Sequence, residues 1–574
     1  MFKLGGYLKN YKKYIILAPI FKLLETATDI ITPFLISKMI DVGIESGSSN
    51  YVLKVGAIVL AINLLGLFFA IFCQKFSSFV SEGTGRDIRR EMFRHINTFS
   101  HAEFDRFTTM SLTNRSVHDV DQIQTAISST IRNITRAPFI LVGSLIMAII
   151  IDPQLSIIFV IVAPILFFVV ILVMKKTTPL YSELKTNLDD VSNVTRENLS
   201  GIRVVRAFNK QDAEFERFNK ENSKFLKTEI KVGRIAAIMQ PILSVVINFA
   251  VVALMVYGGV RINVGGLTQG QIIAFINYFT QLANALITIA RVFLIFTRTG
   301  ASMKRIGEVF EIENSIKEPA KPLFLTESTP AKIEFKNVCF SYLSTKDVVN
   351  DLSFKIKPGQ TLGIIGGTGS GKTSVVNLIP RFYDADSGEI LINDVNIKKY
   401  DVKSLREYVG YVPQKAVLFK GTIESNMRWR KEDASEEEIV KALKIAQAFD
   451  FVKEKPKFLK EEVTRGGTNF SGGQRQRLTI ARALVGKPKI LILDDSSSAL
   501  DFATDAALRK SIYKNFKDTT TVIVSQRTNT IKNCDKIIVL DNGLVIDIGT
   551  HDALLSRCKL YREIYESQNK GKGE

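Results

Sequence analysis

The chain has 574 residues, which is too long for one ordinary hydrophobic core, so two or more domains are expected. Hydrophobic residues make up 46% of it, yet the formal net charge at pH 7 is +19. This combination suits either a nucleic-acid-binding protein or a membrane protein with basic cytoplasmic loops. The four cysteines lie far apart without a C-x-x-C pair, which argues against a disulfide framework or a zinc site and fits a reducing compartment.

Six apolar segments in the first half favour the membrane protein and exclude a soluble protein acting on nucleic acid. They cover residues 14–44, 55–73, 138–151, 155–174, 235–260 and 272–296. The turn at 152–154 has no Lys or Arg, whereas Lys175 and Lys176 follow the fourth segment. The positive-inside rule then places Asp152 outside and both termini in the cytoplasm. The sequence predicts an all-α, six-helix transmembrane domain.

Two of these segments carry polar residues on one helix face. In the first, Lys22, Glu25 and Asp29 share a face, and an internal Lys22–Glu25 pair and a substrate role remain equal alternatives. The last segment carries a polar stripe with helical spacing: Asn277, Gln281, Asn284, Thr288 and Arg291. Helix–helix hydrogen bonding would explain the stripe, but a translocation pathway is preferred because Arg291 lies on it. The candidate substrate path comprises Glu25, Asp29, Asn277, Gln281, Asn284 and Arg291.

A change in the sequence pattern marks the domain boundary. Residues 313–331 contain three prolines and mixed charge and are interpreted as a linker. From Lys332 onward, short β-like runs alternate with helical stretches, which is an α/β pattern. We therefore assign 1–312 to the transmembrane domain, 332–567 to an α/β domain and 568–574 to a disordered tail.

The α/β domain contains a phosphate-binding pattern. Residues 366–373 read GGTGSGKT, which fits G-x-x-x-x-G-K-[ST], between a strand-like and a helix-like segment. Glycines let backbone N–H groups converge on phosphate oxygens, and the following helix N-terminus favours negative charge. ATP with Mg²⁺ is the predicted ligand, with Lys372 on the β- and γ-phosphates and the Thr373 hydroxyl on the metal. The predicted phosphate contacts are Gly366, Gly367, Thr368, Gly369, Ser370, Gly371, Lys372, Thr373 and Ser374.

Other residues of the domain complete a nucleotide site. Tyr342 follows the first strand, where its ring can stack on adenine. Gln414 ends another strand, from which it can touch Mg²⁺ and the attacking water. Asp494 ends the apolar strand 490–494 and is suited to the Mg²⁺ shell, with Asp495 directly after it.

A second candidate anion site precedes a helix at Ser471, Gly472, Gly473 and Gln474. One nucleotide does not need two such sites in one domain. A head-to-tail pair of domains does, because each ATP then lies between the loop of one domain and the Ser-Gly-Gly of the other. Residues 498–501 would lie at that seam.

Together these residues resemble an ABC exporter half-transporter over nearly the whole chain. The resemblance implies that Tyr342 is the adenine-stacking residue, 366–373 the Walker A loop and Gln414 the Q-loop glutamine. It likewise implies that 471–474 is the signature motif, Asp494 the Walker B carboxylate, and that 104–121 and 197–208 carry coupling helices. Two positions depart from the family pattern: Asp495 replaces the usual catalytic Glu, and Gln526 replaces the usual switch His.

These departures predict a Walker site that binds Mg-ATP but hydrolyses it slowly, beside an intact signature. The chain then resembles the degenerate-site subunit of bacterial heterodimeric multidrug exporters. The resemblance implies a second half-transporter as partner, small amphipathic substrates, a plasma-membrane location and no nucleic acid. The alternatives are a lipid or peptide exporter, an ATP-gated channel or a regulatory membrane subunit.

Overall fold

The computed structural model describes residues 4–326, 331–342 and 347–569. They form two compact units. One comprises the residues up to Asn97 together with Thr109–Ile312, and the other comprises Thr98–Thr108 together with the residues from Glu313 onward. A short segment from the first half of the chain therefore belongs to the unit built by the second half.

The first half of the chain is helical throughout. Its α-helices are α1 Leu4–Leu8, α2 Lys12–Lys38, α3 Ser49–Ile96, α4 His101–Arg106, α5 Thr109–Asn114, α6 Val120–Ser129, α7 Thr135–Ile151, α8 Pro153–Ala207, α9 Gln211–Asn263 and α10 Gln269–Phe310. π-Helical turns at Arg115–Asp119 and Thr130–Ile134 join α5, α6 and α7. The tight turn predicted at 152–154 is the start of α8, where the Asp152 carboxylate accepts hydrogen bonds from the N–H groups of Gln154 and Leu155.

Within the described residues, five helices are long and apolar enough to cross a membrane. They are Ser49–Ile96, Thr109–Ile151, Pro153–Ala207, Gln211–Asn263 and Gln269–Phe293. The first predicted span corresponds to α2, which is long enough at 27 residues but carries Lys22, Glu25 and Asp29. The all-α membrane domain is confirmed, while the count of six spans stays a prediction.

The second half is an α/β domain. Its strands are β1 Ile333–Ser341, β2 Asp347–Ile356, β3 Thr361–Gly366, β4 Ser387–Ile392, β5 Val395–Asn396, β6 Val409–Val412, β7 Gly421–Thr422, β8 Glu462–Val463, β9 Ile490–Asp494, β10 Thr520–Val524, β11 Lys536–Asp541 and β12 Leu544–Gly549. Its helices are α11 Lys372–Leu378, α12 Val402–Tyr408, α13 Ile423–Arg428, α14 Glu436–Ile445, α15 Phe449–Lys453, α16 Gly472–Leu484, α17 Phe502–Asn515, α18 Thr528–Ile531, α19 His551–Arg557 and α20 Lys559–Asn569.

The central sheet has the order β12-β11-β3-β10-β9-β6, and all its pairs are parallel except β11 with β12. Strands β9 and β10 are buried along their whole length, as expected for a parallel sheet covered on both faces. Ile490 and Ile492 pack into one apolar core, whereas Leu491 and Leu493 pack into the other. An antiparallel sheet of order β2-β1-β4-β5 lies in the same unit.

The C-terminal end corrects one boundary. Helix α20 continues through Gln568 and Asn569, two residues that the sequence assigned to a disordered tail, so the prediction is wrong for them. The Gln568 amide makes tertiary hydrogen bonds that no local pattern reveals. The rest of the predicted tail, 570–574, lies outside the described residues, as do residues 327–330 of the predicted linker.

Candidate nucleotide-binding site

The phosphate loop connects β3 to α11, as its sequence pattern predicts. Gly366 ends β3, and a Cβ there would stand 2.0 Å from the Leu540 carbonyl oxygen. Gly371 has a φ of +91°, and its Cβ would meet the Val348 carbonyl oxygen at 2.6 Å. By contrast, Gly367 and Gly369 have open space where a Cβ would be. Gly366 and Gly371 are therefore required by close packing, Gly369 is required by its φ of +80°, and Gly367 leaves room beside the backbone.

Lys372 is a buried cation whose hydrogen-bond partners, among the residues that the structure describes, are neutral oxygens of the loop. Its Nζ donates to the carbonyl oxygens of Gly366 and Gly367 at 3.0 and 2.5 Å, and to Ser370 Oγ at 3.3 Å. Burial lowers the pKa of the Lys372 ammonium, against the opposing charges of Asp495 and Asp494. A buried ammonium without a directly bonded carboxylate is suited to receive an anionic ligand.

Thr373 and Asp494 meet at the base of the loop. The Thr373 hydroxyl donates to Asp494 Oδ1 at 3.1 Å, which brings two hard oxygen donors together. Asp494 is only 1% exposed, and this burial raises the pKa of its carboxyl against the hydrogen bonds from Thr373 and Tyr411. Oxygen donors of this kind are what Mg²⁺ prefers. The residues present therefore fit a nucleotide with Mg²⁺, which Lys372, Thr373 and Asp494 would hold.

Asp495 stands next to Gln414, the predicted Q-loop residue. Gln414 Nε2 donates to Asp495 Oδ2 at 3.3 Å, and the Asp495 N–H donates to the Val524 carbonyl oxygen at 3.0 Å. Burial raises the pKa of the Asp495 carboxyl, opposed by the Gln414 hydrogen bond and by the charges of Lys372 and Arg527. Its φ of +42° is unusual for a residue other than glycine and is enforced by its place between β9 and the next turn.

Gln526 lies two residues after β10, at the same sheet edge. The Ser525 N–H donates to the Ile364 carbonyl oxygen at 3.1 Å, which ties this segment to the strand that leads into the phosphate loop. The carboxyl ends of parallel neighbours β3, β9 and β10 share one edge. This topology brings Gln526, Asp495 and the loop together, although they are distant in the chain.

Tyr342 is placed beside the loop helix. Its hydroxyl lies 3.0 Å from Ser374 Oγ, and its ring packs edge-on against Tyr383 with centroids 5.2 Å apart. The predicted adenine-stacking role stays a prediction.

Sequence reasoning missed Tyr411, which contacts the Walker B carboxylate. Its hydroxyl donates to Asn377 Oδ1 at 2.8 Å and lies 3.4 Å from Asp494 Oδ2. Burial raises the pKa of this phenol, so it remains a protonated donor at neutral pH. Only its position three residues before Gln414 pointed to it, and that signal did not distinguish it from a core tyrosine.

The signature segment forms an exposed helix N-terminus. Ser471 Oγ accepts from the Gln474 N–H at 3.3 Å, and Gln474 Oε1 accepts from the Ser471 N–H at 3.0 Å, which completes a capping box for α16. A Cβ at Gly472 would meet open space, and a Cβ at Gly473 would lie 3.2 Å from the Ala499 carbonyl oxygen. The segment thus adjoins the 498–501 turn and leaves its helix end accessible.

The segment Thr98–Thr108 docks on the nucleotide-binding unit. Tyr383 OH donates to Asp105 Oδ2 at 2.8 Å, and the His101 ring stacks on Phe382 with centroids 4.3 Å apart. The Ser315 N–H donates to Glu103 Oε1 at 3.1 Å. The first predicted coupling segment, 104–121, is divided between the units: 104–108 belong to the nucleotide-binding unit, and Thr109 onward belongs to the helical unit. The second, 197–208, occupies the end of α8 in the helical unit.

The candidate substrate-path residues all lie in the helical unit. Glu25 pairs with Lys22 at 2.7 Å, and Asp29 pairs with Arg136 at 2.9 Å. Gln281 Nε2 donates to the Asp29 carbonyl oxygen at 3.2 Å. Three of the stripe residues are exposed on α10: Asn277, Asn284 and Arg291. The structure thus brings Asp29 and Gln281 together and leaves Asn277, Asn284 and Arg291 exposed.

Fold and site define the class of protein: a helical membrane domain joined to an ATP-binding domain of the P-loop type. A family model for the ABC transporter transmembrane region matches residues 15–286, and one for the ABC transporter ATP-binding region matches 349–498. The chain belongs to the ABC transporter family, with the half-transporter architecture of one transmembrane region fused to one nucleotide-binding domain.

Relatives span the whole chain. The protein named uncharacterized ABC transporter ATP-binding protein YfiB, of Bacillus subtilis, is 34% identical and covers 99% of this chain and 98% of its own length. The ATP-dependent lipid A-core flippase 1 of Colwellia psychrerythraea is 30% identical over 99% of this chain and 96% of its own length. The putative multidrug export protein YgaD of Bacillus subtilis is 29% identical over 98% of both chains.

A solved structure of a bacterial Atm1-family ABC exporter with ATP bound shares the fold. Its TM-score is 0.82 at 24% identity, covering 98% of this chain and 99% of that one. These findings confirm the resemblance found in the sequence and identify a multi-pass exporter whose ATPase domain is coupled to transport.

Proposed function

We propose that this chain is one half of a heterodimeric exporter that moves amphipathic compounds out across the plasma membrane. In this proposal its own Walker site binds Mg-ATP and hydrolyses it slowly, and its signature segment completes a competent site on the partner chain. The observation that carries the proposal is that both Asp495 and Gln526 lie at the same edge of the central sheet, at positions where the family pattern has a Glu and a His.

The side-chain chemistry supports slow hydrolysis. An Asp is one methylene shorter than a Glu, so a base at position 495 reaches about 1 Å less far, and misplacement on that scale can cost roughly 10²-fold in rate. Gln526 can hydrogen-bond a phosphate but cannot carry the positive charge of a protonated imidazole. The Ser471 cap is exposed and intact. In the proposed heterodimer this signature segment completes a site whose catalytic residues come from the partner chain.

The double substitution Asp495→Glu with Gln526→His tests the proposal directly. We expect hydrolysis at this chain's own site to rise by on the order of 10²-fold, the contribution of a well-placed general base. The measurement is single-turnover ATP hydrolysis by the purified complex, and the two single substitutions serve as controls that should give smaller gains. An unchanged rate in the double variant would contradict the impaired-site proposal.

The partner is tested by comparing the chain alone with the co-purified pair. The candidate partner is a second half-transporter that carries a Glu and a His at the positions of Asp495 and Gln526. A very low ATPase rate of the chain alone, together with strong ATPase activity of the pair, supports the heterodimer with divided sites. Robust activity from a stable homodimer of this chain would overturn it.

Lipid export is the second candidate, because a relative spanning the whole chain bears the name of a lipid A-core flippase. Reconstituted vesicles separate the two. An exporter of amphipathic drugs changes the distribution of cationic and neutral dyes on addition of ATP, whereas a flippase moves labelled lipid between leaflets. Replacing Glu25 and Asp29 together tests whether these carboxylates favour cationic substrates.

A further inference from the structure

The last helix of the described chain reaches the segment that follows β10. Gln568, near the end of α20, donates from Nε2 to the Gln526 carbonyl oxygen at 2.6 Å. Its Oε1 accepts from the Thr528 N–H at 2.9 Å and from the Thr528 hydroxyl at 3.0 Å. One side chain thereby binds both sides of a three-residue segment.

This arrangement needs a carboxamide. Asn and Gln carry a donor and an acceptor on one planar group, whereas Glu lacks the donor and Lys lacks the acceptor. The Thr528 N–H begins the short helix α18, and the residue before it, Arg527, makes no side-chain cap. Gln568 supplies that missing cap from 40 residues further along the chain.

Helix α20 is itself anchored, so the position of Gln568 is defined. Tyr561 is fully buried, and its hydroxyl lies 2.8 Å from His551 Nδ1. Ile564, one turn before Gln568, packs against the larger apolar core of the domain. The end of the helix therefore holds a fixed place beside the segment that it contacts.

The contacted segment belongs to the nucleotide edge. On one side, the Ser525 N–H is bonded to the Ile364 carbonyl of β3, and Ser525 Oγ accepts from the Arg527 N–H at 3.0 Å. On the other side, the Gln526 carbonyl is bonded to Gln568. The backbone of Gln526 is thus held between the central sheet and the C-terminal helix.

We propose that Gln568 is a positioning residue for the nucleotide site, which holds the backbone of Gln526 so that the Gln526 side chain is directed at the terminal phosphate of ATP. The inference rests on the proposed role of Gln526 as the switch residue. It makes the C-terminal helix part of the machinery that distinguishes ATP from ADP.

The test measures ATP and ADP affinity of the purified full-length chain, with Mg²⁺, by displacement of a fluorescent nucleotide. Gln568→Ala is expected to lower the preference for ATP over ADP by about 3- to 10-fold, the effect of losing hydrogen bonds of ordinary strength. Gln568→Glu keeps the acceptor and loses the donor, so it should lower the preference too. Asn569→Ala is the matched control, because Asn569 donates within its own helix to the Tyr565 carbonyl oxygen at 2.8 Å, and it should change nothing.

Hydrogen exchange supplies the second readout. Residues 526–531 should exchange faster in Gln568→Ala than in the wild-type chain or in Asn569→Ala, at unchanged global stability. An unchanged nucleotide preference in Gln568→Ala, while Gln526→Ala loses it, overturns the inference and leaves the proposed function standing. If Gln526→Ala also keeps the preference, the switch role of Gln526 fails and the inference fails with it. Exchange that is unchanged in 526–531 overturns the positioning role on its own.

Discussion

At the scale of single residues, the Asp494 carboxylate is approached on both of its oxygens. Thr373 donates to Oδ1, and the Tyr411 hydroxyl lies 3.4 Å from Oδ2 while it donates to Asn377. Partners of this kind orient the ligands of a metal and tune its affinity. Tyr411 therefore connects the Walker B strand to the helix that follows the phosphate loop.

Tyr411→Phe should weaken the Mg²⁺ dependence of ATP binding. Removing the hydroxyl frees one side of Asp494, so the Mg²⁺ concentration for half-maximal ATP binding should rise about tenfold. ATP binding without Mg²⁺ should stay unchanged, because the loop backbone and Lys372 still meet the phosphates. A fluorescent nucleotide titrated with Mg²⁺ measures both quantities.

Tyr400→Phe is the control for this experiment. Tyr400 is a buried tyrosine whose hydroxyl donates to the Ile392 carbonyl oxygen at 2.9 Å. Its variant loses a comparable hydrogen bond elsewhere and should keep the wild-type Mg²⁺ dependence. Equal losses with and without Mg²⁺ in Tyr411→Phe would show a merely structural role for this hydroxyl.

At the scale of elements, the docked segment Thr98–Thr108 depends on a histidine. The His101 ring stacks on the Phe382 ring with centroids 4.3 Å apart, and Arg406 Cζ lies 5.5 Å from the centroid of the same Phe382 ring. Partial desolvation lowers the pKa of His101, Arg406 lowers it further, and Asp105 opposes both. A protonated His101 would place a second cation beside the same ring.

Docking of this segment should therefore weaken in acid. Since the pKa of His101 is lower when docked than when free, the undocked form binds more protons, and docking is lost progressively as pH falls below about 6.5. The hydrogen-exchange protection factors of 98–108, which are corrected for the pH dependence of intrinsic exchange, should fall as pH is lowered from roughly 7.5 to 5.5. The effect should be modest, because His101 stays partly open to solvent.

His101→Phe should keep the ring stack and remove the pH dependence. His118→Phe, which removes a different exposed histidine, should leave the dependence as it is in the wild type. Persistence of the pH dependence in His101→Phe would assign it to another group.

At the scale of the whole molecule, α10 presents a polar face that the chain itself does not cover. Asn277, Asn284 and Arg291 are exposed on it, and polar or charged side chains are costly where they meet lipid. ABC exporters act as dimers in a bilayer, so this face can meet a second chain or a water-filled path instead. The same need for a second chain arises in the nucleotide-binding domain, where the signature cap is exposed.

Asn284→Cys should react with a membrane-impermeant maleimide. The comparison is Val252→Cys, which replaces an exposed apolar residue of α9 within the predicted span 235–260, in a chain whose four native cysteines have been replaced. Water reaches Asn284 if the face lines a path, so its cysteine should label in inside-out vesicles while that at 252 stays unlabelled. If neither the cysteine at 284 nor the one at 252 is labelled, Asn284 lies against protein or lipid and is not part of the substrate path.

The sequence by itself determined the family, the division into a helical and an α/β half, and the phosphate loop. These features are local: Gly366 to Thr373 are contiguous, Ser471 and Gln474 cap one helix, and apolar runs define spans by length alone. Local interactions of this kind appear as patterns because the interacting residues are neighbours in the chain. The first segment is less clear, because α2 carries three charges. Lys22 and Glu25 pair within the helix, whereas Asp29 meets Arg136 only in the folded chain.

The tertiary structure decided which distant residues serve the site. Tyr411 meets Asp494 across 83 residues of sequence, Gln568 meets Gln526 across 42, and Tyr383 meets Asp105 across 278. Nothing local distinguishes such residues from other core tyrosines or helix-end glutamines. Parallel strands β6, β9 and β10 bring Tyr411, Asp494 and Gln526 toward one edge of a sheet, whereas α20 and α4 carry Gln568 and Asp105 to their partners. Only this topology sets which distant side chains meet.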